Sequence, residues 1–235
     1  MGPGANRILA AKATLSYILA YQLTHALYGL RDSPYARLAV ALIPCDETSF
    51  NRKFARIIGD GVEGGYVEPQ FAILKTGHLP QYDIKSAGPH DIGYAVLERE
   101  LNLPATAYTP LLTDKREIAE LLVPEASSHL VGFGHRNDNG YGVKYEVATQ
   151  IKSVTLDEAV IGGEGKDSCQ GDSGGSVYGQ LGSGEWRLYG VISRGGVCGE
   201  GGVVGLIHES ISWIQRDSGI SLNLPGDSCS ACEKF

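Results

Sequence analysis

The chain has 235 residues, with 20 Lys or Arg against 27 Asp or Glu and a formal net charge of -7. Nucleic-acid and anionic-membrane surfaces call for an excess of Lys and Arg, so neither is expected as the main partner. No stretch reaches the roughly 18 apolar residues of a membrane span, and the length suits one all-β domain.

In chain order, residues 1–30 carry Arg7 ahead of an apolar run that Lys12 interrupts, with no clean small-residue cleavage site behind it. That is at most a degraded signal peptide. The same region, over 10–30, carries the first helical signal. From Arg37 onward the pattern changes to short runs rich in Val, Ile, Leu and Tyr, divided by Gly, Asn, Asp and Pro. Strands are expected over 38–43, 54–58, 92–97, 129–133, 144–154 and 186–192. Further helices are expected over 114–122, with Thr113 as N-cap, and over 209–216. The 32 glycines are about twice the usual share and imply many tight turns. Beyond residue 220 the apolar pattern fades, so 1–220 reads as the domain and 221–235 as an appended tail.

Five cysteines, at 45, 169, 198, 229 and 232, allow two disulfides and leave one thiol over. Cys229 and Cys232 have the spacing of half a metal site. No second pair and no nearby histidine completes four ligands, so no metal and no cofactor is expected.

The chemistry concentrates at Asp167-Ser-Cys-Gln-Gly-Asp-Ser-Gly-Gly175. A serine hydroxyl is a weak nucleophile that needs a base beside it and N–H donors aimed at the developing oxyanion. Glycines on either side of Ser173 open backbone conformations closed to other residues and clear the approach of a carbonyl.

Residues 165–175, GKDSCQGDSGG, resemble the active-site stretch of trypsin-like serine proteases. The resemblance implies an all-β fold of two six-stranded antiparallel Greek-key barrels with a short C-terminal helix, matched by Ser212-Trp213-Ile214. It makes Ser173 the nucleophile, puts the N–H groups of Gly171 and Ser173 in the oxyanion hole, and makes Asp172 the carboxylate that pairs with a freed N-terminal amine in activated members. Asp167, six residues before Ser173, matches the acid at the base of a pocket for Arg or Lys, where a charge-assisted hydrogen bond would be made. Ser193-Arg194-Gly195 resembles the strand that binds the substrate backbone, in a form familiar from bacterial members, with Arg194 where a tryptophan is common. Gly195 and Gly205 match the pocket walls. Cys198 lies seven residues before Gly205, the family's spacing, which implies a Cys169–Cys198 disulfide. The implied partners are protein or peptide substrates with Arg or Lys, and protein inhibitors. A monomer in a secreted or extracellular setting is the family habit.

His90-Asp91-Ile92-Gly93-Tyr94 resembles the segment of the triad aspartate, with Asp91 placed 82 residues before Ser173. Its task would be to hold an imidazole in one tautomer and to stabilise the imidazolium. The Thr-Ala-Ala-His-Cys string that supplies the base in the family has no counterpart here, and residues 1–53 are atypical. Leu23-Thr24-His25 keeps a trace of it, which makes His25 the candidate base. Arg7-Ile8-Leu9-Ala10-Ala11 reads either as a worn activation signal or as the start of an amphipathic helix. Two functions remain open: a serine endopeptidase acting after Arg or Lys, and a pseudoprotease that binds through the same pocket without the base. A truncated or scrambled N-terminal part is a third reading of the same gap.

Overall fold

In the computed structural model the described residues are 9–12, 21–23, 38–42, 54–59, 67–83, 88–97, 109–132, 134–136, 145–220, 222 and 224. They form twelve strands in two sets of six, plus two short helices. The N-terminal set comprises β1 (Leu9–Lys12), β2 (Tyr21–Leu23), β3 (Leu38–Leu42), β4 (Phe54–Gly59), β5 (Val67–His78) and β6 (Gly93–Leu97). It makes an antiparallel sheet in the order β1-β6-β5-β4-β3-β2.

The C-terminal set comprises β7 (Ser127–Gly132), β8 (Tyr145–Val154), β9 (Glu158–Ile161), β10 (Ser176–Gln180), β11 (Trp186–Gly195) and β12 (Gly202–Leu206). Its order, β10-β11-β12-β9-β8-β7, closes into a barrel, so β7, β8 and β9 follow one another while β10 returns to pair with β7. Closure removes the exposed edges that an open antiparallel sheet would present.

β10 and the middle of β11 are buried on both faces, which is why residues 188–192 read as a near-continuous apolar run and not as an alternation, whereas β8 is largely exposed. Val177, Tyr189, Ile192 and Val204 fill the barrel interior. Tyr178, Leu188 and Val191 point the other way, into a second cluster shared with Ile92, Tyr94 and Ile214. That cluster lies where β6, the C-terminal barrel and the last helix meet, and it seats Asp91 beside the barrel.

Helix α1 (Lys115–Leu121) is capped by Asp114, not by Thr113. The Asp114 carboxylate accepts from Arg116 N at 2.8 Å and Glu117 N at 3.3 Å, and a negative charge suits the positive end of a helix. Arg187 of β11 grips Glu117 with two nitrogens, at 2.7 and 2.5 Å, and holds the helix to the barrel. Helix α2 (Ile211–Ser218) follows a single 3-10 turn at His208–Ser210 and stops at Gly219, whose φ of 75° suits a left-handed cap. Tyr94 of β6 donates its hydroxyl to Asp217 of α2, tying the N-terminal sheet to that helix.

Two expectations for the N-terminal region change. The stretch over 10–30 contains strands β1 and β2 where helix was expected, because cross-strand pairing of Leu9 with Val96 and of Tyr21 with Leu42 outweighs local helix propensity. Residues 9–11 of the Arg7–Ala11 stretch lie in β1 along β6 and not in a helix, while Arg7 and Ile8 lie outside the described residues. At the other end, Leu222 donates its N–H to Gln215 Oε1 at 2.8 Å, and Leu222 and Leu224 pack against the junction cluster, so packing continues past residue 220. Among the described residues no helix is long and apolar enough to cross a membrane.

Candidate active site

Ser173 sits in a tight loop between Cys169 and β10. Asp172 N donates to Cys169 O at 3.0 Å and Gly175 N to Asp172 O at 2.8 Å, while Gly174 N and Gly175 O bond Ile192 of β11, both at 2.8 Å. Gly171 adopts a φ of 92°, a conformation a side chain would resist, and this turns the chain just ahead of the serine. Ser173 itself is half-buried. Among the described residues, the N–H groups of Gly171 and Ser173 carry no backbone hydrogen bond.

Asp91 is only 3% exposed, and its Oδ2 accepts a 2.7 Å hydrogen bond from Ser193 Oγ. A bulge makes this contact possible. β11 pairs Ile192 with Val204 and then Arg194 with Val203, which makes Ser193 the extra residue of the bulge. Bulges re-aim side chains in this way, and Ser193 turns inward to Asp91 at the junction.

Asp172 is fixed from two sides. Gly134 N and Cys169 N each donate to its carboxylate at 2.8 Å. Burial is the main reason its pKa lies above the ordinary aspartate value, and Asp167 adds to the rise, while the two N–H donors and His135 oppose it. The native carboxyl therefore holds its proton more readily than the unfolded one, and stability falls as pH rises from the ordinary aspartate range to the raised value. The expected result is that the urea midpoint of the wild type drops relative to that of Asp172→Asn as pH increases from about 4, the ordinary value for this side chain. Parallel midpoint curves would contradict it.

Asp167 and Asp172 line one cavity of about 200 Å³, together with Val131, His135, Ser168 and the Cys169–Cys198 disulfide. That disulfide forms as the resemblance implied. The Asp167 carboxylate accepts N–H groups from Gly199, at 2.6 Å, and from Gly201. Gly165 N donates to Gly199 O at 2.9 Å, so the loop after Cys198 is pressed onto the loop that carries the acid.

The two pocket glycines separate. Gly195 ends β11 opposite Gly202 and is exposed. Gly205 lies across from Val191, and a Cβ there would meet Ile92 Cδ1 at 2.8 Å and Asp91 O at 3.3 Å, on the junction side. The glycine over the Asp167 loop is Gly202, where a Cβ would stand 3.2 Å from Arg194 O and 3.4 Å from Ser168 Oγ. Counting seven residues from Cys198 passes over it, because Gly202 is only four positions on.

The five histidines among the described residues do not gather at Ser173. His78 Nδ1 lies 3.0 Å from Leu79 O, His90 faces Asp157, His129 packs edge-on against Trp186, and His208 pairs with Glu209. His135 lines the cavity beside Asp172. His25 lies outside the described residues, as do Cys45, Cys229 and Cys232. It follows β2 by two positions, and β2 stands at the opposite end of the sheet order from β1. β1 is the strand alongside β6, ending at Lys12 opposite Gly93. The eight residues after Lys12 contain no histidine.

A closed antiparallel barrel, a serine in a glycine-flanked loop on its strands and a buried aspartate bonded to a strand serine define a protein of the β-barrel serine protease class. The family model described as Trypsin matches residues 52–214, and the chain belongs to that family. Among curated relatives, it is 39% identical over 167 residues to phenoloxidase-activating factor 3 of Holotrichia diomphalia, a match covering 60% of this chain and 46% of that protein. It is 30% identical over 157 residues to CLIP domain-containing serine protease B4 of Anopheles gambiae, covering 58% of this chain and 43% of that protein. Human mannan-binding lectin serine protease 1 is 41% identical over 75 residues, 29% of this chain and 11% of that protein. The chain thus spans less than half the length of these relatives.

Proposed function

We propose that the chain is a serine endopeptidase of trypsin type that hydrolyses peptide bonds after Arg or Lys through an acyl-enzyme at Ser173. The observation that carries this reading is the buried Asp91–Ser193 pair. A carboxylate is costly to hold at 3% exposure, and such groups concentrate where chemistry needs an oriented charge.

In this reading Ser173 Oγ attacks the scissile carbonyl carbon while a histidine takes its proton, and the oxyanion receives the N–H groups of Gly171 and Ser173. The carbon–nitrogen bond then breaks, the amine leaves with that proton, and water releases the acyl group by the same steps in reverse. Asp91 orients the base, and His25 is the histidine left for that role. Asp167 draws the basic side chain, Ser193 and Gly195 pair with the substrate backbone, and Gly202 takes the wall position that counting assigns to Gly205. The domain spans 1–220, with Leu222 and Leu224 packed against it, and the substrates are proteins or peptides met outside the cell by a monomer open to protein inhibitors.

A second reading, a binding module that keeps the pocket without turnover, is favoured by one observation: five of the six histidines lie elsewhere. Turnover of Arg- and Lys-amide substrates against a Leu-amide separates the two. The endopeptidase reading expects Asp167→Asn to lower kcat/KM on the basic substrates by about 10²-fold or more, the scale of losing a buried charged partner, with little change on Leu. A folded wild type that turns over none of the three while still binding benzamidine supports the binding module instead.

A further inference from the structure

Arg194 is the residue the trypsin-like pattern does not account for. Its guanidinium makes a two-pronged ion pair with Glu158 of β9, NH1 to Oε1 at 2.5 Å and NH2 to Oε2 at 2.9 Å. The side chains are 30% and 15% exposed, so the pair is shielded from full solvent screening. NH1 also donates to Gly88 O at 3.2 Å and approaches Ser193 Oγ at 3.5 Å. Ser193 Oγ is the group that donates to Asp91. One short relay therefore joins Glu158, Arg194, Ser193 and Asp91 across β9, β11 and the segment leading into β6.

Among the described residues, the other ionisable groups around this relay are His90, Asp157 and Tyr82. His90, immediately before Asp91, has a left-handed φ of 68° and places Nδ1 2.8 Å from Asp157 Oδ2, a contact of charge when the ring is protonated and not an aligned hydrogen bond. Tyr82, buried near Arg194, brings no positive charge. Hydrogen bonding to Glu158 is the largest cause of the raised pKa of Arg194, and the charge of Asp91 adds to it. The attraction is mutual, since each charge favours the ionised form of the other.

We propose that Arg194, aimed by Glu158, is a positioning residue that supplies the standing positive charge for the buried Asp91 and keeps it ionised beneath Ser193. The bidentate grip fixes a flexible guanidinium in one place, and the bulge at Ser193 brings that place within reach of the aspartate. A trypsin-like aspartate is thereby held ready whether or not an imidazolium stands over it.

The test is a carboxyl-carbon NMR titration of Asp91 in the full chain, with the signal assigned by its loss in Asp91→Asn. Arg194→Gln is expected to raise the Asp91 midpoint by about one unit, the scale for removing an opposite charge a few ångströms away, and Arg194→Lys to restore most of the shift. Rescue by a lysine, which returns only the charge, is not produced by simple loosening of the fold. If the midpoint stays at the wild-type value in folded Arg194→Gln, or if Arg194→Lys moves it as far as Arg194→Gln does, the proposal is overturned. Should Arg194→Gln fail to fold, Arg194→Met, which keeps an unbranched stem without the charge, decides alone, an unchanged or lowered midpoint overturning the proposal. The readout is protonation and not turnover, so it is independent of whether Ser173 is an active nucleophile.

Discussion

Gly132→Ala is expected to destabilise the protein by about 3 kcal/mol and to disorganise the loop around Ser173. A Cβ at this position would stand 1.9 Å from Asp172 Oδ1 and 2.6 Å from its Cγ, far inside contact distance. The obstacle is not the free end of a surface side chain, because the carboxylate is held by Gly134 N and Cys169 N. Moving it aside forfeits hydrogen bonds to a charged group, worth about 1.5–3 kcal/mol each, and leaving it in place overpacks the site at about 1–3 kcal/mol. Either route lands near the same figure. Asp172 anchors the turn that presents Ser173, so the serine's surroundings move with it. Urea unfolding measures the loss, and Gly196→Ala is the control: a Cβ there meets nothing within 4 Å, and its expected change is within about 0.5 kcal/mol. Equal midpoints for Gly132→Ala and wild type would contradict this account of the loop.

The parts of the site that were legible in the sequence are those carried by a continuous string. Asp167, Cys169, Asp172 and Ser173 lie within seven residues, so their relation survives any error in the fold around them. The pairing of Cys169 with Cys198 also followed from the string and its downstream cysteine. Relations that depend on sheet register were harder to read. Nothing in Ile192-Ser193-Arg194 announces the extra residue that turns Ser193 to Asp91, because a bulge is a property of two strands and only one of them is visible at a time. Gly205 was chosen by counting, and the short loop from Cys198 to Gly202, closed by N–H groups on Asp167, defeats the count.

The N-terminal strands show a different limit. Leu9–Lys12 and Tyr21–Leu23 are three or four residues long, too short for their own periodicity to separate strand from helix. Their partners, Gly93–Leu97 and Leu38–Leu42, lie far along the chain or in a separate run, so the pairing decides what the local sequence leaves open. The cap of α1 is a smaller case of the same kind. Thr113 and Asp114 are both acceptable caps, and the backbone entering the helix presents Asp114 to the free N–H groups.

In the proposed endopeptidase Ser173 is a nucleophile and not only a member of a glycine-rich loop. Incubation of the full chain with a fluorophosphonate, followed by intact mass and peptide mapping, tests it directly. The predicted result is a single phosphonyl adduct on Ser173, displacing fluoride and absent from Ser173→Ala, with labelling slowed by Asp91→Asn by about 10³-fold or more, as expected when the base loses its orienting carboxylate. A folded wild type that remains unlabelled, or labelling that persists in Ser173→Ala, would contradict it.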